Sequence, residues 1–424
     1  MRRENSLGPA RAVAKCACVN LADRFRFFVT CARGTEGALR RELVGLRIGS
    51  PKGDAGGVWF DGPVRMAMAV CLHARVAVRV LLQVADFPAA TTDELYQATR
   101  TVDWTAWLTT KSTLAVHASI RAPEVGAAPG LTHSGYAALK VKDAVVDTLR
   151  DKLGARPDVD AKDPDVGLVL HVAGERARLF LDLAGEPLHR RGYRVAMTDA
   201  PLKETLAAAV LALGGVPTDE PFIDPMGGSG TLAIEQALAA RGIAPGLQRR
   251  FGFERWPVFA STIAVTWREL SDEARAHAAD ARAGAAPAPI IYADIAEDAV
   301  TAARRNAAAA GIAGDIEFTR ADAGDVGTLA RRWSQGTVCT NPPYGERLAE
   351  RDLAALYRRL ATAFGRLGGP AGAAGGPGWA VVLLSGNPLL TREMRIKPRV
   401  SHRLFNGPLE VRLLRYEPGA RDRL

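Results

Sequence analysis

From Phe25 onward, short runs that alternate apolar and polar residues take turns with stretches whose apolar positions recur every three or four residues. These are the periods of strand and helix. FRFFVT predicts a strand, Glu36–Leu46 a helix, GVWFDG a strand, PVRMAMAVCLHAR a helix and VRVLLQVADF a strand, giving a small α+β unit over residues 25–100. After a connection through Asp103 and Trp104, STLAVHASI reads as a strand and GYAALKVKDAVVDTLRDKLG as a helix whose apolar side includes Leu139, Val145, Val146 and Leu149. GLVLHVAG and RARLFLDLAG then form two strands turning at Gly174-Glu175, and this second unit spans 101–186. HRRGYRVAMTDAPL, with three arginines, is the expected connection over residues 187–201.

Residues 202–424 show a different rhythm. An Ala/Leu helix, LKETLAAAVLALGG, precedes PFIDPMGGSGTLAIEQALAARG, which reads as strand, glycine-rich turn and helix. Strands in IIYADI, DIEFTRAD, TVCT and WAVVLLSG continue to alternate with helices, as expected of an α/β, doubly wound, mostly parallel, Rossmann-like sheet. Asn406-Gly407 between Val400–Phe405 and Leu409–Tyr416 signals a hairpin that adds antiparallel edge strands. Residues 241–289 are a largely helical insertion expected to loop out of this sheet, and Gly368–Gly378 reads as a glycine-rich loop.

Composition narrows the chemistry. The chain has 424 residues, 48% hydrophobic and 24% charged, enough for two cores and unlike a disordered or fibrous protein. No run of eighteen apolar residues and no amino-terminal secretory segment is evident, so a soluble cytoplasmic protein is expected. Cys16, Cys18, Cys31, Cys71 and Cys339 lack metal-site spacing, and the seven histidines are dispersed, so no metal is expected. The net charge of +9 is concentrated at the ends. Residues 1–50 hold ten Lys/Arg against four Asp/Glu and residues 391–424 nine against four, so the ends total +11 and the rest −2. Residues 1–24 form a basic tail, and a polyanionic partner is implied.

Ligands of an open parallel sheet bind beyond the carboxyl ends of its strands. After the first such strand stand Asp224, Pro225, Met226, Gly227, Gly228, Ser229, Gly230 and Thr231, where glycines permit close approach to the backbone and Thr231 opens a helix. No lysine follows the last glycine and the spacing is not GxGxxG, which excludes a P-loop and a dinucleotide fingerprint. Asp294 follows the second strand, 70 positions after Asp224, where a carboxylate can accept from both hydroxyls of a ribose. Asp322 can accept from an adenine amino group. Asn341, Pro342, Pro343 and Tyr344 follow TVCT. The two prolines lack N–H donors and leave carbonyl acceptors facing outward. An Asn side-chain oxygen and a proline carbonyl accepting the two hydrogens of a conjugated amine favour its nucleophilic geometry, and Tyr344 offers a stacking face for a base.

Here the chain resembles a known family. DPMGGSGT is similar to the DPMCGSGT motif, and NPPYGERL to the NPPYGxRL motif, of THUMP-domain class I RNA guanine-N2 methyltransferases. FFVTCARGTEGALRREL, SGYAALKVKDAVVD, HRRGYR and APLKETLAAA resemble their ferredoxin-like, THUMP and linker segments. The resemblance runs from about Arg26 to Tyr416 and is greatest to the amino-terminal half of bifunctional bacterial large-subunit rRNA methyltransferases. It implies a class I methyltransferase domain behind a ferredoxin-like and THUMP region. S-adenosylmethionine would be held by Asp224–Thr231, Asp294, Asp322 and Asn341, with Asn341–Tyr344 presenting the guanine amine of 23S rRNA. Lys140, Lys142 and Arg150 on the THUMP-like helix, with Arg190 and Arg191 in the linker, would meet RNA phosphates. Gly227 stands where the motif has cysteine. The chain ends soon after Tyr416, so the N7-guanine activity of the second half is not expected.

Other readings share parts of this pattern. NPPY also serves DNA adenine-N6 and protein glutamine methylation, against which the THUMP-like half argues. A tRNA guanine-N2 methyltransferase would use the same architecture, and a non-catalytic RNA-binding ribosome-assembly factor would keep the fold.

Overall fold

The structure, a computed structural model, describes residues 23–121, 130–198, 201–343, 350–367 and 378–417. The basic tail before residue 23, Tyr344 and most of the Gly368–Gly378 loop lie outside the described residues.

Two sheets organise the described chain. The first contains β1 (Phe25–Thr30), β2 (Lys52–Asp54), β3 (Gly57–Gly62), β4 (Arg79–Pro88), β5 (Thr113–Arg121), β6 (Asp158–Val159), β7 (Val166–Ala173) and β8 (Arg176–Asp182), in the order β2-β3-β1-β4-β8-β7-β5-β6. β4 pairs antiparallel with β8, so the two amino-terminal units read separately from the sequence share one sheet and one hydrophobic core. Period-2 burial explains the faces: Phe25, Phe27 and Val29 of β1 point into the core. On the helix Ser134–Leu153, Ala137, Val141, Val145 and Leu149 are buried. Leu139, expected on that apolar side, is instead 53% exposed, because the buried stripe runs through the small Ala137 and the i+4 positions beyond it.

The second sheet contains β9 (Phe222–Asp224), β10 (Ile290–Asp294), β11 (Ile316–Arg320), β12 (Gly336–Thr340), β13 (Trp379–Ser385), β14 (Val400–Asn406) and β15 (Leu409–Tyr416), ordered β11-β10-β9-β12-β13-β15-β14. The first five are parallel, and the β14–β15 hairpin adds antiparallel strands at one edge. Chain direction across the sheet reverses between β9 and β12, which opens a crevice between the loops that follow them. Those loops begin at Pro225 and Asn341.

The insertion does more than loop out. Its Phe251, Phe253, Trp256, Ile263, Trp267 and Leu270 enter the core of the first sheet. The rings of Phe251 and Phe253 stack at 5.5 Å, Trp267 meets both edge-on at 5.3 and 5.1 Å, and Trp256 packs at 5.8 Å against Trp107 of the amino-terminal region. Aromatic contact of this kind adds to the burial of large apolar area.

A buried polar joint ties the same parts together. The Glu42 carboxylate accepts the N–H groups of Arg75 at 2.6 Å and Val76 at 3.0 Å, and Arg75 donates to the carbonyls of Leu238 (2.9 Å) and Ile243 (2.6 Å). Tyr193 donates to Glu235 at 3.0 Å. Arg191 is 3% exposed, donates to the carbonyls of Leu188 and Arg75, and lies 3.5 Å from Glu235. The expectation that Arg191 meets RNA is therefore corrected: a buried guanidinium occupied by the protein's own acceptors holds the joint.

Candidate active site at the switch point

The glycine loop is shaped by hydrogen bonds that reach it from β10. Gly227 N–H donates to Ala293 O at 3.0 Å, and Gly228 N–H donates to Asp294 Oδ2 at 2.9 Å. Tyr292 donates its hydroxyl to Gly228 O at 2.6 Å. Gly228 and Gly230 have φ of +52° and +84°, a left-handed backbone that disfavours side chains. Gly230 then caps the helix Thr231–Ala240, directing the unpaired N–H groups of its first turn toward the crevice.

Gly227 is required by space. A Cβ there would lie 2.2 Å from Tyr292 Cε2, inside the tyrosine ring. The Tyr292 ring occupies the space beside Gly227, and its hydroxyl bonds the next residue's carbonyl.

Asp224 is 1% exposed. Burial, with the nearby Asp294 charge, raises its carboxyl to about 7, against the Met226 N–H at 3.3 Å and the Thr340 hydroxyl, which favour the anion. Pro225 is buried and Met226 half-buried. Asp294 Oδ1 accepts Ala296 N–H at 3.0 Å while Oδ2 holds Gly228, so this carboxylate braces the loop and retains lone pairs for further donors. Asp322 Oδ1 accepts Gly324 N–H at 2.7 Å and Arg359 at 2.6 Å, which together keep its carboxyl below the ordinary range. Thr231, buried, bonds Arg194 at 3.1 Å and lies 3.3 Å from the Ser229 hydroxyl.

Beyond β12, Asn341 and Pro343 are half-buried and Pro342 is buried. Asn341 Oδ1 is buried, yet no described residue donates a hydrogen bond to it. An acceptor shielded from water without a donor is costly unless a donor arrives. β12 pairs with β9 at Val338↔Ile223, which sets the loop that begins at Asn341 beside the glycine loop.

Two residues missed by the sequence reading hold this site together. Asn306, fully buried on the helix Glu297–Ala310, accepts from the N–H groups of Val195 (2.9 Å) and Ala196 (2.8 Å) and donates to Ala196 O (2.9 Å) and Ser229 O (3.0 Å). Arg194 donates to Glu204 at 2.8 Å, Ser229 Oγ at 2.8 Å and Leu202 O at 2.9 Å. The linker is thus clipped onto the glycine loop. A lone Asn among helical alanines was the available signal for Asn306.

The cations expected to meet RNA lie elsewhere. Lys140 sits over the Tyr136 ring at 5.6 Å, Lys142 pairs with Asp143 at 2.7 Å, and Arg150 pairs with Asp147 at 3.0 Å, all on the helix of the first sheet. Arg190, in the linker, is exposed and paired with Glu186. No group of three His, Cys, Asp or Glu is placed to hold a metal among the described residues, and no described helix is long and apolar enough to cross a membrane.

Comparison with known proteins shows the family. Residues 26–81 match the RlmL ferredoxin-like domain, 89–182 the THUMP domain and 191–415 the RMKL-like methyltransferase domain. The chain is 39% identical over 399 residues to the ribosomal RNA large subunit methyltransferase K/L of Syntrophotalea carbinolica, covering 92% of this chain and 53% of that protein. It therefore spans about half the length of the curated relatives it matches. Among solved structures, SMU.472 complexed with SAH superposes with a TM-score of 0.79 at 27% identity, covering 94% of this chain and 99% of that one. A Listeria monocytogenes structure described as a predicted N6-adenine-specific DNA methylase gives 0.79 at 29% identity, covering 93% and 96%. With the methyltransferase match running through more than half its length, from the buried linker to the final hairpin, the chain belongs to the RMKL-like methyltransferase family, behind a ferredoxin-like and a THUMP domain.

Proposed function

We propose that the chain transfers a methyl group from S-adenosylmethionine to the exocyclic N2 amine of a guanosine in 23S rRNA. The observation that supports this reading is the buried Asn341 Oδ1, to which no described residue donates, at the start of the loop after β12, the strand that pairs with β9. An incoming amine supplies the missing donor. With Pro342 O accepting its second hydrogen, the nitrogen lone pair is freed from the aromatic ring and aimed at the crevice. Tyr344, outside the described residues, would stack on the base.

The residues at the loop suit the cofactor. Gly228 and Gly230 leave the backbone open to close contact, and Asp294 keeps lone pairs available for ribose hydroxyls. The bound cofactor supplies an electrophilic methyl on a sulfonium, so placement and electrostatics do most of the work. Pro225, Met226 and Thr231 shape the cradle, and Asp322, oriented by Arg359, is assigned the adenine amino group.

RNA is favoured over DNA by the THUMP match, and rRNA over tRNA by the names of the relatives. Transfer of labelled methyl to naked 23S rRNA, assembled large subunits, tRNA and DNA, followed by nucleoside mass spectrometry, is the test. Label in rRNA as N2-methylguanosine is expected. Methylation confined to tRNA or DNA, or none on any substrate, would overturn the reading, the last in favour of a non-catalytic assembly factor.

A further inference from the structure

Where the first sheet meets the insertion, a second concavity opens with a volume of about 880 Å³. Its walls are the end of the second unit around Ala184–Glu186, the linker from Arg190 to Gly192, and the inserted segment between Gly246 and Arg275. None of Asp224, Asp294, Asp322 or Asn341 lines it, so it is separate from the methyl-transfer crevice.

The cleft is built from close backbone contacts. A Cβ on Gly185 would lie 3.0 Å from Gly252 N, and one on Gly192 would lie 2.8 Å from Gln248 O. Packing of this kind keeps the three walls in a fixed relation. Five arginines line the cleft against three carboxylates. Arg249 is committed to the architecture: it donates to the carbonyls of Ala184 (3.0 Å), Glu186 (2.6 Å), Pro187 (2.7 Å) and Arg190 (3.2 Å), and its guanidinium lies over the Phe251 ring. Its positive charge therefore rests on neutral carbonyls.

The other four sit at the rim. Arg250 is exposed and makes no ion pair among the described residues. Arg190, Arg255 and Arg275 are paired with Glu186, Asp163 and Asp272, whose carboxylates are 63%, 76% and 61% exposed. Solvent-facing pairs of this kind are weak and exchange partners easily. Guanidinium forks match phosphate oxygens two at a time, so a polyanion entering the cleft can capture these side chains from their carboxylates. The linker that forms one wall also continues from Arg190 to Arg194, which bonds Ser229 of the cofactor loop at 2.8 Å.

We infer that this cleft binds the sugar–phosphate backbone of the RNA substrate at a segment remote from the methylated base, which makes the 241–289 insertion an RNA-positioning element. The inference rests on the reading of the substrate as RNA. Its test uses the full chain and a 23S rRNA fragment, comparing the unaltered protein with Arg250→Ala and with Arg250→Ala/Arg255→Ala/Arg275→Ala. The triple variant should bind RNA about tenfold more weakly near 0.1 M salt, with the slope of log affinity against log salt reduced by about 2 to 3, the value for losing three phosphate contacts. Arg250→Ala should lose about one unit of slope. S-adenosylmethionine affinity and the melting temperature should stay unchanged, which separates lost contacts from a damaged fold. Unchanged RNA affinity and slope in a folded triple variant would overturn the cleft assignment while leaving methylation by the unaltered protein as the separate test of the substrate. Weakened binding of inorganic polyphosphate with rRNA binding intact would also overturn it, marking a small-anion site.

Discussion

Gly227 and Tyr292 are coupled by space: the tyrosine ring lies where a side chain at position 227 would go. Gly227→Cys restores the residue of the family's motif but drives Cβ into the Tyr292 ring, so it should cost about 1 to 3 kcal/mol of stability, as overpacking does. Tyr292→Ala opens that space and breaks the bond to Gly228 O. The double variant should therefore be less destabilised than the sum of the two, as read by denaturant melts of all four proteins; strict additivity would deny the coupling. Asp224 gives the site a pH signature. Its folded value of about 7 lies above the ordinary 3.8, so protonation favours the folded apo protein and that contribution is lost as pH rises through about 7. A cationic cofactor favours the anion instead. Calorimetry should find S-adenosylmethionine affinity rising from about pH 6 and levelling above about pH 8, with the rise absent in Asp224→Asn. A flat profile in the unaltered protein would remove Asp224 from the cofactor's electrostatics. Asp224 and Asn341 stand out as candidates because a strand end followed by proline is a local signal, and Asp294 because it closes a strand; Asn306 and Arg194 do not, because what they hold is distant in sequence.

At the scale of elements, strand and helix periods were readable nearly throughout, and the hairpin closes at Asn406↔Leu409 where Asn406-Gly407 placed it. The helix Thr92–Arg100 escaped notice although its capping box was in view: Thr91 accepts Glu94 N–H at 3.2 Å while the Glu94 side chain accepts back. The insertion was legible as helical but its destination was not, since periodicity tells that a face is buried and not against what. Phe251, Phe253 and Trp267 are core residues of the amino-terminal region as much as of their own. Trp267→Ala should cost about 3 to 5 kcal/mol in urea melts of the full chain; a loss below 1 kcal/mol would mean that the insertion is peripheral. By the same reasoning, a fragment beginning at Ala196 exposes this aromatic cluster and should aggregate or melt early, so cofactor binding belongs in assays of the whole chain.

On the scale of the molecule, the first sheet, the buried joint of Glu42, Arg75, Arg191 and Glu235, and the insertion tie the THUMP-bearing half to the methyltransferase half. The fold class of each half was readable from strand and helix order, whereas the continuity of β4 with β8 depends on a pairing between residues nearly a hundred positions apart and left no local trace. On the proposed function, such an arrangement suits an enzyme that grips RNA at one place and reacts at another. The catalytic centre is then decided by whether Asn341 acts on the reacting amine. Single-turnover methylation of 23S rRNA by Asn341→Ala, with RNA and cofactor affinities measured on the same preparation, should show a rate lowered by roughly 10²-fold or more, the scale of one preorganised electrostatic contact, with both affinities nearly unchanged and residual product still N2-methylguanosine. Methylation at the unaltered rate, or a product carrying its methyl on a ring nitrogen or carbon, would contradict the role of Asn341 as the acceptor that prepares an exocyclic amine.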